Sequence, residues 1–255
     1  MNARSLLQGI RRGDTRLLGA AISILENHLP LRAALLSGLH QSKTSQSKKI
    51  FPLPFVIGIT GSAGAGKSTL IAGLVELARQ NHKKVAVVAV DPTSPKTGGA
   101  FLGDRVRMQR VAGDRGVFIR SMATRGERGG VSKATGETIP LFRQAGYDLV
   151  FIETVGIGQL DYEVTRFVDI TILVLTPESG DEMQFMKAGL FELVDCLVIN
   201  KADRPGADRM DRVLRQAIPL EHGRSRPIFK TIAEERKGIS PLYRFIVDTS
   251  RGKEN

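Results

Sequence analysis

The pattern of hydrophobic and polar positions divides the chain at about residue 50. Beyond that point, short apolar runs rich in β-branched residues alternate with longer stretches in which apolar residues recur at helical spacing. Seven of these runs have the length of buried strands, at residues 55–60, 85–90, 117–120, 148–153, 170–175, 195–199 and 227–231. Strands that alternate with helices build parallel sheets, so the pattern predicts an α/β fold with a mostly parallel sheet and helices on both faces.

The first 49 residues have a different pattern. Their apolar positions recur at helical spacing up to Leu25, and Pro30 is placed to open a further short helix that ends at Leu39. Residues 41–49 are polar, rich in Ser and Lys and without periodicity, which indicates a linker. The predicted parts are a helical extension with its linker at 1–49, an α/β domain at 50–250 closed by a helix over 238–250, and a frayed tail at 251–255.

The composition is typical of a globular protein, with 42% hydrophobic residues and a mean hydropathy of −0.08. No segment approaches the roughly 20 apolar residues that a membrane helix requires, and the N-terminus has no signal-peptide core. We therefore expect a cytoplasmic protein without a membrane span. The single cysteine, Cys196, falls in a predicted strand, where a small buried apolar role is expected.

The net charge of +11 comes from the two ends of the chain. Residues 51–203 carry 17 basic and 17 acidic side chains, whereas 1–50 carry 8 against 2 and 204–255 carry 12 against 7. Basic flanks can bind nucleic acid. However, no aromatic residues interleave with the N-terminal charges and no nucleic-acid-binding motif is present. We interpret the flanks as solvated basic faces or as a surface for an acidic protein partner.

A phosphate-binding motif follows the first strand of the α/β domain. The run Gly61-Ser62-Ala63-Gly64-Ala65-Gly66-Lys67-Ser68-Thr69 satisfies G-x-x-x-x-G-K-[ST], and a helical stretch over 70–80 follows it. In this strand–loop–helix context, backbone N–H groups point at a phosphate chain, Lys67 reaches the β- and γ-phosphates, and Ser68 binds Mg²⁺. The motif predicts binding of a nucleoside triphosphate.

A second motif selects the base. Asn200-Lys201-Ala202-Asp203 follows the predicted strand 195–199. One carboxylate can accept hydrogen bonds from both the N1–H and the exocyclic amine of guanine, whereas adenine has no such donor pair. Asp203 therefore favours GTP, while Asn200 and the stem of Lys201 would brace the loop and cover the ring.

Candidate magnesium and switch residues lie between the two motifs. Asp91 and Glu153 each end a predicted strand, at the sheet edge where α/β folds bind ligands. Asp91 precedes a proline, so a turn or cap role stays open for it. Asp104 and Arg107 lie in a glycine-containing segment that can close on the metal and the γ-phosphate. Gly156 is placed to engage the γ-phosphate through its N–H and to release it after hydrolysis.

These motifs resemble the MeaB/ArgK/MMAA family of SIMIBI-class P-loop GTPases, which are chaperones of adenosylcobalamin-dependent acyl-CoA mutases. The resemblance runs from about residue 5 to 248. The blocks that carry it are residues 58–69, 89–94, 98–99, 102–108, 153–159, 179–184 and 200–203. It implies a Mg²⁺-dependent GTPase that couples GTP and GDP binding to loading or protection of a mutase of the methylmalonyl-CoA type.

The resemblance also implies residue roles. Ser68, Asp91, Asp104 and Glu153 would form the Mg²⁺ environment. Arg107 would lie in switch I near the developing phosphate charge, and Gln159 in switch II. A further switch at 180–184 would contact the mutase, and the backbone of Ile232-Ala233-Glu234 would meet the guanine. Together with Lys67, the residues Arg107, Glu153 and Gly156 are the predicted catalytic set.

Two features depart from the family pattern. The family carries a longer C-terminal helical arm used for dimerisation, whereas this sequence ends at Asn255, so a monomer or a weak homodimer is expected. In residues 124–130, charged side chains stand where the family has other residues, which puts the usual partner contacts of that loop in question.

Two other functions stay open on the sequence alone. A nickel-insertion GTPase of the same class would need a Cys/His metal site near the switches, and the sequence offers none. A P-loop kinase would not need the guanine-selecting motif, and no acceptor site is apparent. Turnover of GTP and ATP, with and without phosphate acceptors, distinguishes these functions.

Overall fold

The computed structural model describes residues 2–27, 29–44, 51–91, 108–123, 133–154, 162–178, 193–217 and 226–254. Within them, seven strands form one sheet: β1 (Phe55–Gly61), β2 (Val85–Asp91), β3 (Val117–Ala123), β4 (Leu149–Glu153), β5 (Ile170–Leu175), β6 (Cys196–Asn200) and β7 (Ile228–Thr231). All seven predicted strands are confirmed, and the largest difference is at β3, which continues to Ala123.

Every strand pairing in this sheet is parallel, and the strand order is β3-β2-β4-β1-β5-β6-β7. β1 lies at the centre, with Ile59 opposite Glu153 of β4 and Gly61 opposite Val174 of β5. Because parallel strands all end at the same edge, the carboxyl ends of β1, β4 and β6 lie together there. The predicted α/β fold is confirmed.

Helices cover the sheet on both faces. Their bounds are α1 (Ala3–Arg11), α2 (Thr15–Glu26), α3 (Arg32–Thr44), α4 (Lys67–Gln80), α5 (Gln109–Ala112), α6 (Lys133–Gln144), α7 (Tyr162–Thr165), α8 (Ala207–Ala217) and α9 (Ile239–Glu254), with a 3₁₀ turn at Ala233–Glu235. Helices α4 and α9 pack on one face of the sheet, and α1, α2, α3 and α6 on the other.

Two helices are longer than the sequence pattern predicted. α3 continues to Thr44, into the predicted linker, because a polar segment can extend a helix that packing has already nucleated. α9 includes residues 251–254 of the predicted frayed tail. A hydrogen bond connects its last turn to the sheet: Nζ of Lys253 donates at 2.8 Å to the carbonyl of Asp169, the residue before β5.

The N-terminal helices share a hydrophobic core with the sheet. Leu6 of α1 and Ile22 of α2 are fully buried in one cluster with Val88 of β2 and Phe142 of α6. An ionic contact joins the same layers, since the buried Glu26 accepts from the Ala123 N–H and from Arg120, each at 3.1 Å. The extension therefore packs as part of the α/β domain. None of the described helices is long and apolar enough to cross a bilayer.

Candidate nucleotide-binding site

The phosphate loop joins the central strand to the 14-residue helix α4. Its chain path depends on glycine, with positive φ angles of 142° at Gly61, 77° at Gly64 and 88° at Gly66. A Cβ at Gly61 would lie 2.1 Å from the Val174 carbonyl oxygen of β5. The loop can therefore lie close against β5 and turn directly into α4, whose N-terminal N–H groups form an anion-binding end.

Lys67 is held against the backbone of this loop. Its ammonium donates to the Gly61 carbonyl at 2.9 Å and to the Ser62 carbonyl at 3.1 Å, and only 7% of the residue is exposed. The charge is thus fixed at the mouth of the loop, where phosphate oxygens can replace these carbonyls as acceptors.

Ser68 and Glu153 meet at the same edge. The Ser68 hydroxyl in the first turn of α4 donates to Oε1 of Glu153 at the end of β4, at 2.7 Å, and both residues are buried. Hydroxyl and carboxylate oxygens are the ligands that Mg²⁺ prefers, and neighbouring ligands of an octahedral Mg²⁺ at about 2.1 Å stand ~3 Å apart. This pair fits a magnesium site, because both chemistry and spacing agree.

The other predicted phosphate and metal residues lie largely outside the described part of the chain. The backbone of Asp91 ends β2 beside β4, but its side chain is not described. Asp104, Arg107 and Gly156 fall outside the described residues, as do Gln159 and the segment 180–184. Within the described ranges, no group of three or more His, Cys, Asp or Glu side chains could hold a metal ion.

Removing the Glu153 carboxylate tests the magnesium assignment. We expect Glu153→Ala to lower Mg²⁺-stimulated GTP hydrolysis by about 10²-fold, while GDP affinity changes by less than ~3-fold, because the carboxylate matters mainly when the metal and γ-phosphate are both bound. Asp104→Ala is expected to act in the same way. Hydrolysis rates across a Mg²⁺ titration, beside GDP affinity, measure both effects.

Glu137→Ala is the matched control, since Glu137 pairs with Arg32 and lies on α6, on the opposite face of the sheet from α4. Wild-type hydrolysis at limiting Mg²⁺ in both Glu153→Ala and Asp104→Ala would show that the metal assignment is wrong.

Asn200 joins the base-selecting motif to the phosphate loop. Its Nδ2 donates to the Ala65 carbonyl at 2.8 Å, and its Oδ1 accepts from the Thr231 hydroxyl at 2.9 Å and from the Ala233 N–H at 3.1 Å. Asn200 is 2% exposed, so these contacts are buried. One amide therefore fixes the phosphate loop and the segment after β7 relative to each other.

A small cavity opens beside this amide, with a volume of about 80 Å³. Lys201 adopts a left-handed conformation with φ 56° directly after β6, and this turn leads to the exposed Asp203. The residues that line the cavity are Gly66, Thr69, Asn200, Lys201, Asp203, Arg204, Ile232, Ala233, Glu234 and Glu235. All six predicted base-contact residues are among them, and the cavity adjoins the phosphate loop at Gly66.

Electrostatics at the cavity rim favour positive charge on Lys237. Its ammonium lies 2.6 Å from the Glu235 carboxylate. That hydrogen bond and ion pair raise the pKa of Lys237, with a further contribution from Asp203.

The single cysteine is neutral. Burial raises the pKa of the Cys196 thiol, and for a thiol a raised pKa favours the uncharged form. Cys196 is fully buried, as predicted.

Several residues that shape this site carry no sequence signal. Val174 places the carbonyl against which Gly61 packs, and Thr231 orients the Asn200 amide. Arg236 forms a paired contact with Glu76 behind the site, although the two lie 160 positions apart in the sequence. None of these belongs to a motif, so only the folded chain identifies them.

Comparison with known proteins agrees with this geometry. The family model described as methylmalonyl-CoA mutase-associated GTPase MeaB matches residues 18–253. A Pyrococcus horikoshii protein named as a GTPase is 44% identical over 247 residues, which cover 93% of this chain and 74% of that protein. The mouse mitochondrial methylmalonic aciduria type A homolog is 37% identical, over 93% of this chain and 60% of its own.

Solved structures show the same fold. The crystal structure of an LAO/AO transport system kinase has a TM-score of 0.72 at 27% identity, covering 98% of this chain and 75% of its own. HypB from Helicobacter pylori, in complex with nickel, has a TM-score of 0.56 at 21% identity, over 79% of this chain and 89% of its own. At that identity the likeness concerns the fold alone.

The phosphate loop, the base-side cavity and the family match over 18–253 agree with one another. The chain belongs to the family of methylmalonyl-CoA mutase-associated GTPases, MeaB, and is a GTPase with a SIMIBI-type P-loop fold.

Proposed function

We propose that this GTPase acts in the cytoplasm and couples its nucleotide state to loading or protection of an adenosylcobalamin-dependent acyl-CoA mutase of the methylmalonyl-CoA type. The observation that carries the proposal is the family match over residues 18–253, whose description names the mutase association. The name of the mouse relative, methylmalonic aciduria type A homolog, supports the same partner.

Hydrolysis would rest on charge stabilisation and positioning rather than covalent chemistry. The loop N–H groups and the Lys67 ammonium would hold the β- and γ-phosphates. Ser68 and Glu153, joined at 2.7 Å, would hold Mg²⁺, which supplies further charge neutralisation when bound. Arg107 and Gly156 would approach from the switch segments and orient the attacking water.

Guanine recognition would use the cavity beside Asn200. Asp203 would accept from the N1–H and the amine of the base, while the backbone of Ile232-Ala233-Glu234 would meet its carbonyl oxygen. Asn200 contacts Ala65 of the phosphate loop and Ala233 of the base-side turn, so both ends of the nucleotide would be read by one connected unit.

The switches would carry the nucleotide state to the mutase. Segments 102–108, 156–161 and 180–184 are the proposed contact regions. In the sequence, the second of these begins three residues after Glu153, the last residue of β4. If nucleotide state changes the affinity for the mutase, then the mutase must change nucleotide affinity by the same factor.

The test is the affinity of a non-hydrolysable GTP analogue, measured with and without the cobalamin-dependent mutase of the same organism, beside the GTPase rate. We expect the mutase to change both, by about 5- to 150-fold in affinity, the usual range of coupling between sites. In an Asp181→Ala/Gln184→Ala variant, the stimulation should be lost while basal turnover stays intact.

The matched control is Asp208→Ala/Gln216→Ala, which likewise removes one aspartate and one glutamine side chain, here from exposed positions on α8. No change in affinity or rate with any cobalamin-dependent mutase tried would leave a GTPase without this partner. Phosphate transfer to a small acceptor, in place of release as inorganic phosphate, would instead favour the kinase alternative.

A further inference from the structure

Arg236 forms a forked contact behind the base-side cavity. It follows the 3₁₀ turn Ala233–Glu235 and has a left-handed conformation with φ 59°, which is uncommon for a side chain of this size. Its Nη1 donates to the Ala233 carbonyl at 2.8 Å. Its Nε and Nη2 each donate to a different carboxylate oxygen of Glu76 at 2.7 Å. The guanidinium therefore joins the base-side turn to helix α4.

Helix α4 is also the helix that begins at the phosphate loop. Nη1 of Arg236 lies 3.5 Å from the carbonyl of Thr69, in the first turn of this helix. Gly73 gives the side chain room, since a Cβ there would lie 3.2 Å from Cδ of Arg236 and 2.4 Å from Ile239. A glycine inside a helix lowers helix stability relative to alanine, and close packing against Arg236 and Ile239 accounts for it here.

The geometry of the pair is that of a positioning contact rather than a solvated charge pair. The side chains of Arg236 and Glu76 are 28% and 32% exposed, whereas those of Lys230 and Asp208 in a surface pair are 40% and 83% exposed. A bidentate Arg–carboxylate contact fixes orientation as well as distance. The hydrogen bond to the Glu76 carboxylate also raises the pKa of Arg236.

The base-side turn is thereby held from two directions. Asn200 accepts a hydrogen bond from the N–H of Ala233 at 3.1 Å, and Arg236 donates one to the carbonyl of the same residue. We propose that Arg236 and Glu76 are positioning residues that set the distance between the base-side turn and the phosphate loop, and so help to select guanine over adenine. This inference rests on the guanine site of the proposed function.

Affinities for three nucleoside diphosphates distinguish the contribution of Asp203 from that of the base-side turn. Hypoxanthine in IDP keeps the carbonyl oxygen and N1–H of guanine but lacks the exocyclic amine that Asp203 would accept. The GDP-to-IDP affinity ratio therefore reports on Asp203. The GDP-to-ADP ratio reports on both Asp203 and the turn, because adenine has an amine where the turn would meet an oxygen. Ratios of affinities do not change when a variant merely lowers the folded fraction.

The experiment measures calorimetric affinities of the whole chain and its variants for GDP, IDP and ADP. Arg236→Gln is expected to weaken GDP and IDP equally, by about tenfold, so that GDP-to-ADP discrimination falls while the GDP-to-IDP ratio stays at its wild-type value. Glu76→Gln should also lower the GDP-to-ADP ratio and leave the GDP-to-IDP ratio unchanged. The double variant should add little to Arg236→Gln, because the two residues act as one pair.

Arg79→Gln is the matched control. Arg79 lies near the other end of α4 and pairs with Asp114 at 3.0 Å, with side chains 27% and 37% exposed, so the variant loses a comparable ion pair away from the cavity. It should leave all three ratios unchanged. Asp203→Asn should lower both the GDP-to-ADP and the GDP-to-IDP ratios, which verifies the guanine site itself.

Two results overturn the inference in distinguishable ways. If Asp203→Asn lowers both ratios while Arg236→Gln and Glu76→Gln leave them at wild-type values, the guanine site stands and the positioning role is wrong. If Asp203→Asn changes neither ratio, the guanine site fails and the positioning role fails with it. Should Arg236→Gln not fold, Glu76→Gln decides the outcome, since it keeps the arginine in place.

Discussion

Replacing Lys67 by alanine is expected to abolish GTP hydrolysis, with a loss of about 10³-fold or more, beyond the usual cost of removing one donor at a developing negative charge. The ammonium is 7% exposed and fixed by two backbone carbonyls at the mouth of the loop. Without it, the transferring phosphoryl group loses a buried positive charge that is already oriented. Single-turnover hydrolysis of GTP measures the loss directly.

The control for this experiment is Lys83→Ala. Lys83 forms an exposed ion pair with Asp148 at the opposite end of the sheet, so its removal should not affect turnover. Thermal unfolding of both variants distinguishes a catalytic loss from a folding loss. A folded Lys67→Ala variant that hydrolyses GTP at the wild-type rate would refute the assignment of the phosphate loop.

The parts of the site that could be predicted from sequence are those in which a short segment determines its own geometry. The phosphate loop needs Gly61 and Gly66 because positive φ angles leave little alternative, and the strand before it is buried throughout. The inner strands could be predicted for a similar reason, since both faces of this sheet are covered and β2, β4, β5 and β6 are nearly continuous apolar runs.

Contacts between distant segments could not be predicted. Arg236 contacts Glu76 although the two lie 160 positions apart in the sequence, and no local pattern marks either as a partner. The packing of the N-terminal helices on the sheet also has no sequence signal, because the polar residues 41–49 separate these helices from the α/β domain in the sequence. Their apolar faces instead complete the core over β2 and β4, where Leu6 and Ile22 are fully buried.

Replacing Asp203 by asparagine is expected to weaken GDP binding by about 2–4 kcal/mol, roughly 30- to 700-fold in Kd. The substitution places a donor against the donors of guanine, while the volume of the side chain is unchanged. Because Asp203 is exposed and lines the cavity beside Lys201, the fold should tolerate the change. Titration calorimetry with GDP gives the affinity, and thermal unfolding of the apo variant verifies that stability is unchanged.

Asp208→Asn provides the matched control, since Asp208 is exposed on α8 and lies outside the cavity lining. It removes one negative charge and should leave GDP affinity at the wild-type value. Equal losses in both variants would mean that charge near the cavity, rather than hydrogen bonding to the base, sets the affinity.

The proposal that the cavity between Asp203 and Ala233 reads guanine is tested most directly on the wild-type chain, by calorimetric titration with GDP and with ADP in the presence of Mg²⁺. Both nucleotides carry the same phosphates, so any difference in affinity arises at the base. The geometry predicts GDP binding with a Kd of about 1 μM or tighter and ADP binding weaker by roughly 30-fold or more. Equal affinities for GDP and ADP would contradict the account.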